Sequence, residues 1–387
     1  MKHTTILETV RTMQNYALAG TTAQAPATAT TDAKIYFDRE QLGLEKDRLF
    51  RQRPVLAGMS ADLAGPGDFL TLDLAGVPVL LARGDDGRVR AWLNACTHRG
   101  SRLEGKARGR CRRFVCPYHA WSYDTRGQLR SVPGEDSFGS GCGELAGLQR
   151  LACLETAGLV FVRCDSGGGD DSMALPAEME QELKAWDFSG LKTVQSGEYA
   201  AACNWKLVVD GFSEGYHFSS VHGGTFADTL NNTMHYKTYG RGDGARHHRL
   251  IFAQKAVRDA PIETMTREEL LGLVNYVYFF YPNTTLFLYG PYTYTLQVLP
   301  HPRDAGRCHT RITLYSRESL DTAEKQAEYE QIFNFVALAV KDEDYPVIES
   351  AQKSLEPGLL TRVQLGRNEV ALQDFHRHLL EDTGSPG

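Results

Sequence analysis

The sequence predicts an α+β protein in two parts, a small β domain followed by a larger domain in which helices cover an antiparallel sheet. Three observations carry this. Between Arg53 and Cys164, short alternating runs (FLTLDL, VPVLLAR, VRAWLNA, LVFVRC) are cut by Gly-Asp and Asp-Gly turns, the pattern of a small β domain. The stretch 165–172, DSGGGDDS, is the clearest linker in the chain. Beyond it, strand-like runs recur at 248–255, 275–281, 284–289, 292–299 and 308–315, and helical patterns close the chain at 319–340, 342–355 and 367–381. Strands followed by helices, rather than strict alternation, indicate an α+β arrangement. The implied boundaries are 1–45 for an N-terminal helix and arm, 46–165 for the β domain and 166–387 for the larger domain.

The N-terminal stretch MKHTTILETVRTMQNYALAG reads as a helix. It lacks a sustained apolar run and carries Glu8 and Arg11, so it does not fit a signal peptide. Residues 21–33, TTAQAPATATTDA, have little apolar bulk and are expected to form a mobile arm. The richest apolar segment, Asn275–Pro300, is interrupted by Pro282, Asn283, Gly290 and Pro291, which predicts two or three buried strands and not a membrane span. No internal repeat is evident.

At 387 residues the chain has room for two domains. Its 42 basic and 48 acidic residues leave a net charge of −6, which gives no support to nucleic-acid binding. The dense basic run is local, five cations within Lys106–Arg113. Eight cysteines are scattered and form no disulfide framework, so reduced thiols and a cytoplasmic address are expected.

Two Cys-His pairs flank that basic run, Cys96-x-His98 and Cys116-x2-His119, with 17 residues between them. Thiolate and neutral imidazole are both good first-row metal ligands. One zinc could take all four, but zinc fingers usually group cysteine with cysteine and histidine with histidine. The mixed pairing favours a Rieske two-iron cluster, in which two histidines replace cysteine on one iron. Turn formers beside each pair, Arg99-Gly100 and Pro117, argue against four unrelated core residues.

A second cluster lies in NWKLVVDGFSEGYHFSSVHGGTF, with Asp210, Glu214, His217 and His222. On a helix the first three share one stripe, whereas His222 falls off it. An unbroken helix would therefore not aim both histidines at one metal, but Gly223-Gly224 supplies a helix end from which His222 could turn back. Two histidines and a carboxylate leave open positions on ferrous iron for oxygen and substrate. Asp342, Glu343 and Asp344 are all candidates for the carboxylate; a solvated acidic helix start would look the same. Phe212, Phe218 and Phe226 flank the histidines and are equally candidates for a pocket wall or for core.

Over nearly its whole length, a Rieske pair followed roughly a hundred residues later by acid-x2-His-x4-His, the chain resembles the alpha subunits of Rieske non-haem iron oxygenases, the aromatic ring-hydroxylating oxygenases. Respiratory Rieske proteins add a cysteine to each cluster loop, where this chain has Ser101 and Tyr118. The resemblance implies a helix-grip catalytic domain, a [2Fe-2S] cluster on Cys96, His98, Cys116 and His119, and a mononuclear Fe(II) on His217, His222 and Asp344, with Glu343 as the rival third ligand. It implies catalytic roles for Asp210 and Glu214, the latter as the acid that bridges a cluster histidine to an iron-ligating histidine across a subunit interface. It also implies a homotrimer, with or without a small beta subunit, acting on O2 and a small organic, usually aromatic, molecule by mono- or dihydroxylation or oxidative demethylation. No Gly-x-Gly-x-x-Gly fingerprint follows a strand. NAD(P)H would then act indirectly, through a separate flavin reductase and possibly a ferredoxin. The alternative is a non-catalytic iron–sulfur electron carrier or metal-binding scaffold. No nucleic acid or membrane partner is expected.

Overall fold

The alternating runs of the N-terminal half form a seven-stranded sheet in the spatial order Val55–Met59, Leu159–Arg163, Arg150–Thr156, Val89–Leu93, Val77–Arg83, Asp68–Leu74, Arg108–Arg110. Asp68–Leu74 and Val77–Arg83 pair through a two-residue turn, Ala75-Gly76, with positive φ at both positions, the geometry whose twist matches that of the strands. A three-stranded sheet of Arg113–Val115, Ser122–Asp124 and Leu129–Ser131 lies beyond. Phe69, Trp92, Phe114, Trp121 and Tyr123 form one buried cluster, which includes Cys96 and Cys116.

These features come from a computed structural model describing residues 1–138, 147–165, 173–226, 230–240 and 246–384. The chain divides into two compact units: one contains Lys46–Leu175 and Asp187–Lys192, the other Met1–Glu45, Pro176–Trp186 and Thr193–Gly387. The expected linker, 165–172, lies outside the described residues except for Asp165, as does Cys142. The seven described cysteines are free.

The second unit is built on a seven-stranded sheet ordered Lys192–Ala201, Cys308–Ser316, Tyr292–Pro300, Thr284–Tyr289, Val274–Phe280, His248–Gln254, Leu230–Thr238. The apolar stretch Asn275–Pro300 is thus three strands, with Pro282 at the turn after the first. Helices Ala323–Leu338, Tyr345–Leu355 and Val370–Thr383 follow the strands in sequence, as an α+β pattern requires.

The N-terminal helix, His3–Ala19, buries Ile6, Val10 and Met13 along one stripe and belongs to this second unit. The stretch after it corrects an expectation. Residues 21–33 are not a free arm: Ala29–Asp32 pairs antiparallel with Arg362–Leu365, and the N–H groups of Ala23 and Ala25 donate to Met234 and Arg367 carbonyls at 2.8 and 2.7 Å. Main-chain hydrogen bonds do not need apolar side chains, so the low bulk that suggested mobility is no obstacle to pairing. Among the described residues, no helix is long and apolar enough to cross a membrane.

The helix Trp205–Phe212 leads to the second motif and is held at its start. Asn204 caps it by accepting from Lys206 N–H at 3.0 Å. The wholly buried Lys206 ammonium sits 2.6 Å from Glu45, whose other oxygen accepts from the Trp205 indole at 2.7 Å. Gln352 accepts from Asn204 N–H and Glu349 from Ala202 N–H, tying this turn to the helix that follows Asp344.

Candidate metal centres and cavity

Helix Trp205–Phe212 ends where Ser213 donates back to the Val209 carbonyl at 2.7 Å and the chain passes through Gly215. A Cβ on Gly215 would meet the Phe252 and Phe218 rings at 3.0 and 3.1 Å, so the residue is small because the backbone runs against them. This break revises the expected geometry. Asp210, Glu214 and His217 do not share a helical stripe, and the break that lets the histidines converge precedes both. His217 and His222 flank a single helical turn, Phe218–Val221.

Facing them, helix Ala323–Leu338 widens into a π-helical turn, Ala339–Asp344, before continuing as Tyr345–Leu355. Asp344 Oδ1 lies 3.2 Å from His222 Nε2 and 3.6 Å from His217 Nε2. One ligand atom from each of the three falls within 4.8 Å of the others, the arrangement that can seat a metal ion. Glu343 stands behind: His222 Nδ1–H donates to it at 2.6 Å and Thr225 at 2.8 Å. Asp342 is exposed, 3.8 Å from Lys341. On the other side, His217 Nδ1–H donates to Glu214, which also accepts from the N–H groups of Tyr216 and His217. Each histidine thus has its Nδ1 proton on a carboxylate and its Nε2 turned toward one point. Burial opposes charge on His222, but Asp344 and Glu343 outweigh it and raise its pKa above the ordinary value.

Asp210, expected among the catalytic residues, is turned away. It accepts from the Tyr36 hydroxyl at 2.7 Å and lies 2.9 Å from His376 Nε2, and it does not line the cavity beside the histidines. That cavity has a volume of about 550 Å³ and opens on His217, His222 and Asp344. Phe212, Phe218 and Phe226 all line it. The part of the lining that the sheet supplies was missed by sequence reasoning: Phe252, Asn275, Phe287, Tyr289, Tyr292 and Tyr294 come from four neighbouring strands. Period-2 alternation could have flagged their shared face, but not that it meets the histidines.

In the first unit the two Cys-His loops repeat one design. Cys96 N–H donates to the Ser101 carbonyl and Gly100 N–H to Cys96, just as Cys116 N–H donates to Trp121 and Ala120 N–H to Cys116. Gly100 and Ala120 hold equivalent left-handed positions, at φ 73° and 57°. The two thiols interact with each other, and the His98 and His119 rings lie 4.6 Å apart, with His98 stacked on Trp121 at 4.8 Å. Thiols are thus paired with thiols and imidazoles with imidazoles. Burial raises the Cys96 pKa, although the Tyr123 hydroxyl sits 3.2 Å from its sulfur. Burial also works against the Cys116 thiolate, but the N–H groups of Tyr118 and His119 outweigh it and lower its pKa. Desolvation, then the neighbouring His119 and Arg99, lowers the His98 pKa and keeps the ring neutral, as a ligand must be.

Residues 188–384 match the ring-hydroxylating alpha subunit catalytic domain, about half of the chain, and residues 53–154 match the Rieske [2Fe-2S] domain. The chain belongs to the ring-hydroxylating oxygenase alpha-subunit family. Two curated relatives are the glycine betaine monooxygenase oxygenase subunit of Chromohalobacter salexigens and the anthranilate 1,2-dioxygenase large subunit of Burkholderia cepacia. The first is 31% identical over 206 residues, 52% of this chain and 44% of that one; the second is 30% identical over 211, 51% of this chain and 48% of that one. The chain thus matches about half the length of these relatives. The quaternary ammonium Rieske monooxygenase CntA, in a crystal structure with an inhibitor, shares the fold at a TM-score of 0.78 and 21% identity, covering 96% of this chain and 98% of that one. Membership in the family makes a Rieske [2Fe-2S] cluster and a mononuclear iron the cofactors of the chain. Both donor sets fit them: paired thiols and paired imidazoles for the cluster, two Nε2 atoms and a carboxylate for the single iron.

Proposed function

We propose that the protein is the terminal component of a Rieske-type oxygenase, hydroxylating, dihydroxylating or oxidatively demethylating a small organic molecule, in this family usually an aromatic one, with O2 and electrons supplied from outside. The observation that carries this reading is the convergence of His217 Nε2, His222 Nε2 and Asp344 Oδ1 on one edge of an aromatic cavity. In this reading Cys96, His98, Cys116 and His119 hold the cluster, and His217, His222 and Asp344 hold the iron. The cluster supplies single electrons and the iron supplies the centre at which dioxygen is activated. Glu214 and Glu343 fix the tautomers of the two iron-ligating histidines. The phenyl and phenol walls exclude water and hold the substrate against the metal.

The assembly follows from the same reading. In this reading Glu214, already bonded to His217, bridges it to a cluster histidine of a neighbouring subunit in a homotrimer, with or without a small beta subunit. A separate flavin reductase, with or without a ferredoxin, passes electrons from NAD(P)H, and the protein works in the cytoplasm. Carnitine, glycine betaine and anthranilate, named by relatives, show how wide the choice of substrate is within the family. A pure electron carrier would have no use for a three-residue metal seat opening on a cavity of about 550 Å³.

A single-turnover experiment tests the proposal. Protein reduced with dithionite, freed of excess reductant and mixed with ¹⁸O2 and a panel of aromatic hydrocarbons, phenols and amines should yield at least one ¹⁸O-labelled product. His217→Ala should abolish labelling while leaving the cluster absorption unchanged. Equal labelling in that variant would refute the reading.

A further inference from the structure

The cavity beside the candidate iron ligands has an inner and an outer end, and two of its walls agree on which is which. Along helix Ala323–Leu338 and the turn after it, Ile332, Val336, Val340 and Asp344 line the cavity at four-residue intervals, with Gln331 and Phe335 beside them. Residues so spaced share one helical face. Exposure falls along it: Gln331 and Phe335 are exposed, Ile332 and Val336 half-buried, Val340 and Asp344 buried. The hairpin formed by Thr284–Tyr289 and Tyr292–Pro300 repeats the order. Tyr289 is exposed, Tyr292 half-buried, Tyr294 and Leu296 buried.

The two gradients run side by side. The Tyr292 hydroxyl donates to Glu328 and the Tyr294 hydroxyl to the Ile332 carbonyl, both at 3.3 Å, so two residues of strand keep pace with four of helix. Tyr289 stands opposite Tyr292 across the hairpin. The outer ends therefore meet, with Tyr289 at the hairpin tip and Gln331 and Phe335 on the helix. A side chain that both lines a cavity and meets solvent marks where the two join. The other described lining residues are buried or half-buried. Thirteen residues separate Gln331 from Asp344, about 20 Å of helix at about 1.5 Å each.

The rim side chains differ in how firmly they are held. Tyr292 packs on Tyr329 at 5.6 Å besides bonding Glu328. Phe335 packs edge-on against Phe226 at 5.2 Å, and Phe226 lies 5.2 Å from the His222 ring. Tyr289, beside the Gly290-Pro291 turn, has no such partner among the described residues. Resting on the oxygenase reading, we infer that the substrate enters between the hairpin tip and helix Ala323–Leu338, and that Tyr289 and Gln331 govern entry by setting the width of the mouth. They act as specificity-determining residues through size, whatever the polarity of the molecule.

The test reads passage and not turnover. Iron-loaded protein is mixed under argon with 2,2′-bipyridine, a flat aromatic chelator, or with EDTA, whose carboxylates hold it in water so that it collects only iron already released. The wild type should lose mononuclear iron faster to bipyridine than to EDTA, at a rate that rises with bipyridine concentration, while retained labile sulfide reports an intact cluster. Gln331→Trp, which adds bulk at the mouth, should slow the bipyridine rate about tenfold, and Tyr289→Ala should speed it about as much, within the range over which association rates vary among variants of one site. Tyr289→Phe, which keeps the ring, should match the wild type. All three should leave the EDTA rate unchanged, and opposite effects at two positions cannot come from a shared folding defect. Equal bipyridine rates in all four proteins would overturn the inference. So would bipyridine acting no faster than EDTA on both the wild type and Tyr289→Ala. Failure of ¹⁸O labelling in protein whose bipyridine rates follow the predicted order would overturn the oxygenase reading and leave the mouth standing.

Discussion

Each histidine of the acidic cluster has one ring nitrogen on a carboxylate, and the two carboxylates predict different phenotypes. Glu343 holds His222 and Thr225 and comes from the same turn as Asp344, so Glu343→Ala should loosen one iron ligand without touching the cluster. Losing such an outer partner typically weakens metal binding about 10- to 100-fold. Mononuclear iron should therefore be lost to a chelator that much more readily while the visible absorption of the cluster stays constant; unchanged retention would remove Glu343 from the site. Glu214→Gln keeps shape and hydrogen-bonding capacity but removes charge. If Glu214 bridges to a cluster histidine of a neighbouring subunit as proposed, the variant should keep both iron sites and lose substrate-dependent oxygen consumption by about 10- to 100-fold. Loss of iron instead would make Glu214 structural support for a ligand. The order of these acids was only partly legible. Sequence offered Asp342, Glu343 and Asp344 as equals, and only resemblance preferred Asp344. A π-helical turn shifts the side-chain phase from that of a regular helix, so helical spacing alone could not say which acid faces inward.

At the level of elements, helix Ala177–Trp186 is anchored to the sheet through Glu182. Its carboxylate meets Arg249 and accepts from the Tyr278 and Tyr239 hydroxyls at 2.8 and 3.0 Å. Burial alone would raise its pKa, but Arg249, Tyr278 and Lys237 outweigh burial and lower it. A carboxylate lowered in the folded state stabilises fully above the unfolded value, about 4.3, and that contribution is lost as pH falls through the folded value. Glu182→Gln should destabilise the protein at pH 7 by about 3 kcal/mol, since it strands a buried guanidinium. It should also flatten the decline in stability below about pH 4.3. Denaturant melts at pH 7 and pH 3.5 check both; equal acid sensitivity in the two proteins would refute the role. The strands themselves were readable, because alternation and turn residues at 248–315 report local geometry. The break after Phe212 was not. Gly215 looked like any loop glycine, and the Phe252 and Phe218 rings that demand it are remote neighbours or simply the next turn. The pairing of Ala29–Asp32 was hidden for the same reason, its partner lying at Arg362–Leu365.

For the whole molecule, the account needs electrons to enter beside the cluster and leave at the iron. Two of the five cations near the cluster are engaged at home, Arg110 with Asp68 at 2.6 Å and Arg108 with Asp62 at 3.6 Å, while Arg112 and Arg113 are exposed. If this face receives an acidic donor, reversing Arg112 and Arg113 to Glu should slow partner-driven cluster reduction at low salt and flatten its salt dependence, leaving dithionite reduction unchanged. Equal rates at low salt would exclude docking there. The central claim is that one chain holds two separate iron sites, and iron counting tests it most directly. Anaerobically reconstituted wild type should contain about three irons and two labile sulfides per chain, and the His217→Ala, His222→Ala double variant about two irons with the same sulfide and the same visible spectrum. Two irons in both proteins, or one zinc in place of the cluster, would contradict the account.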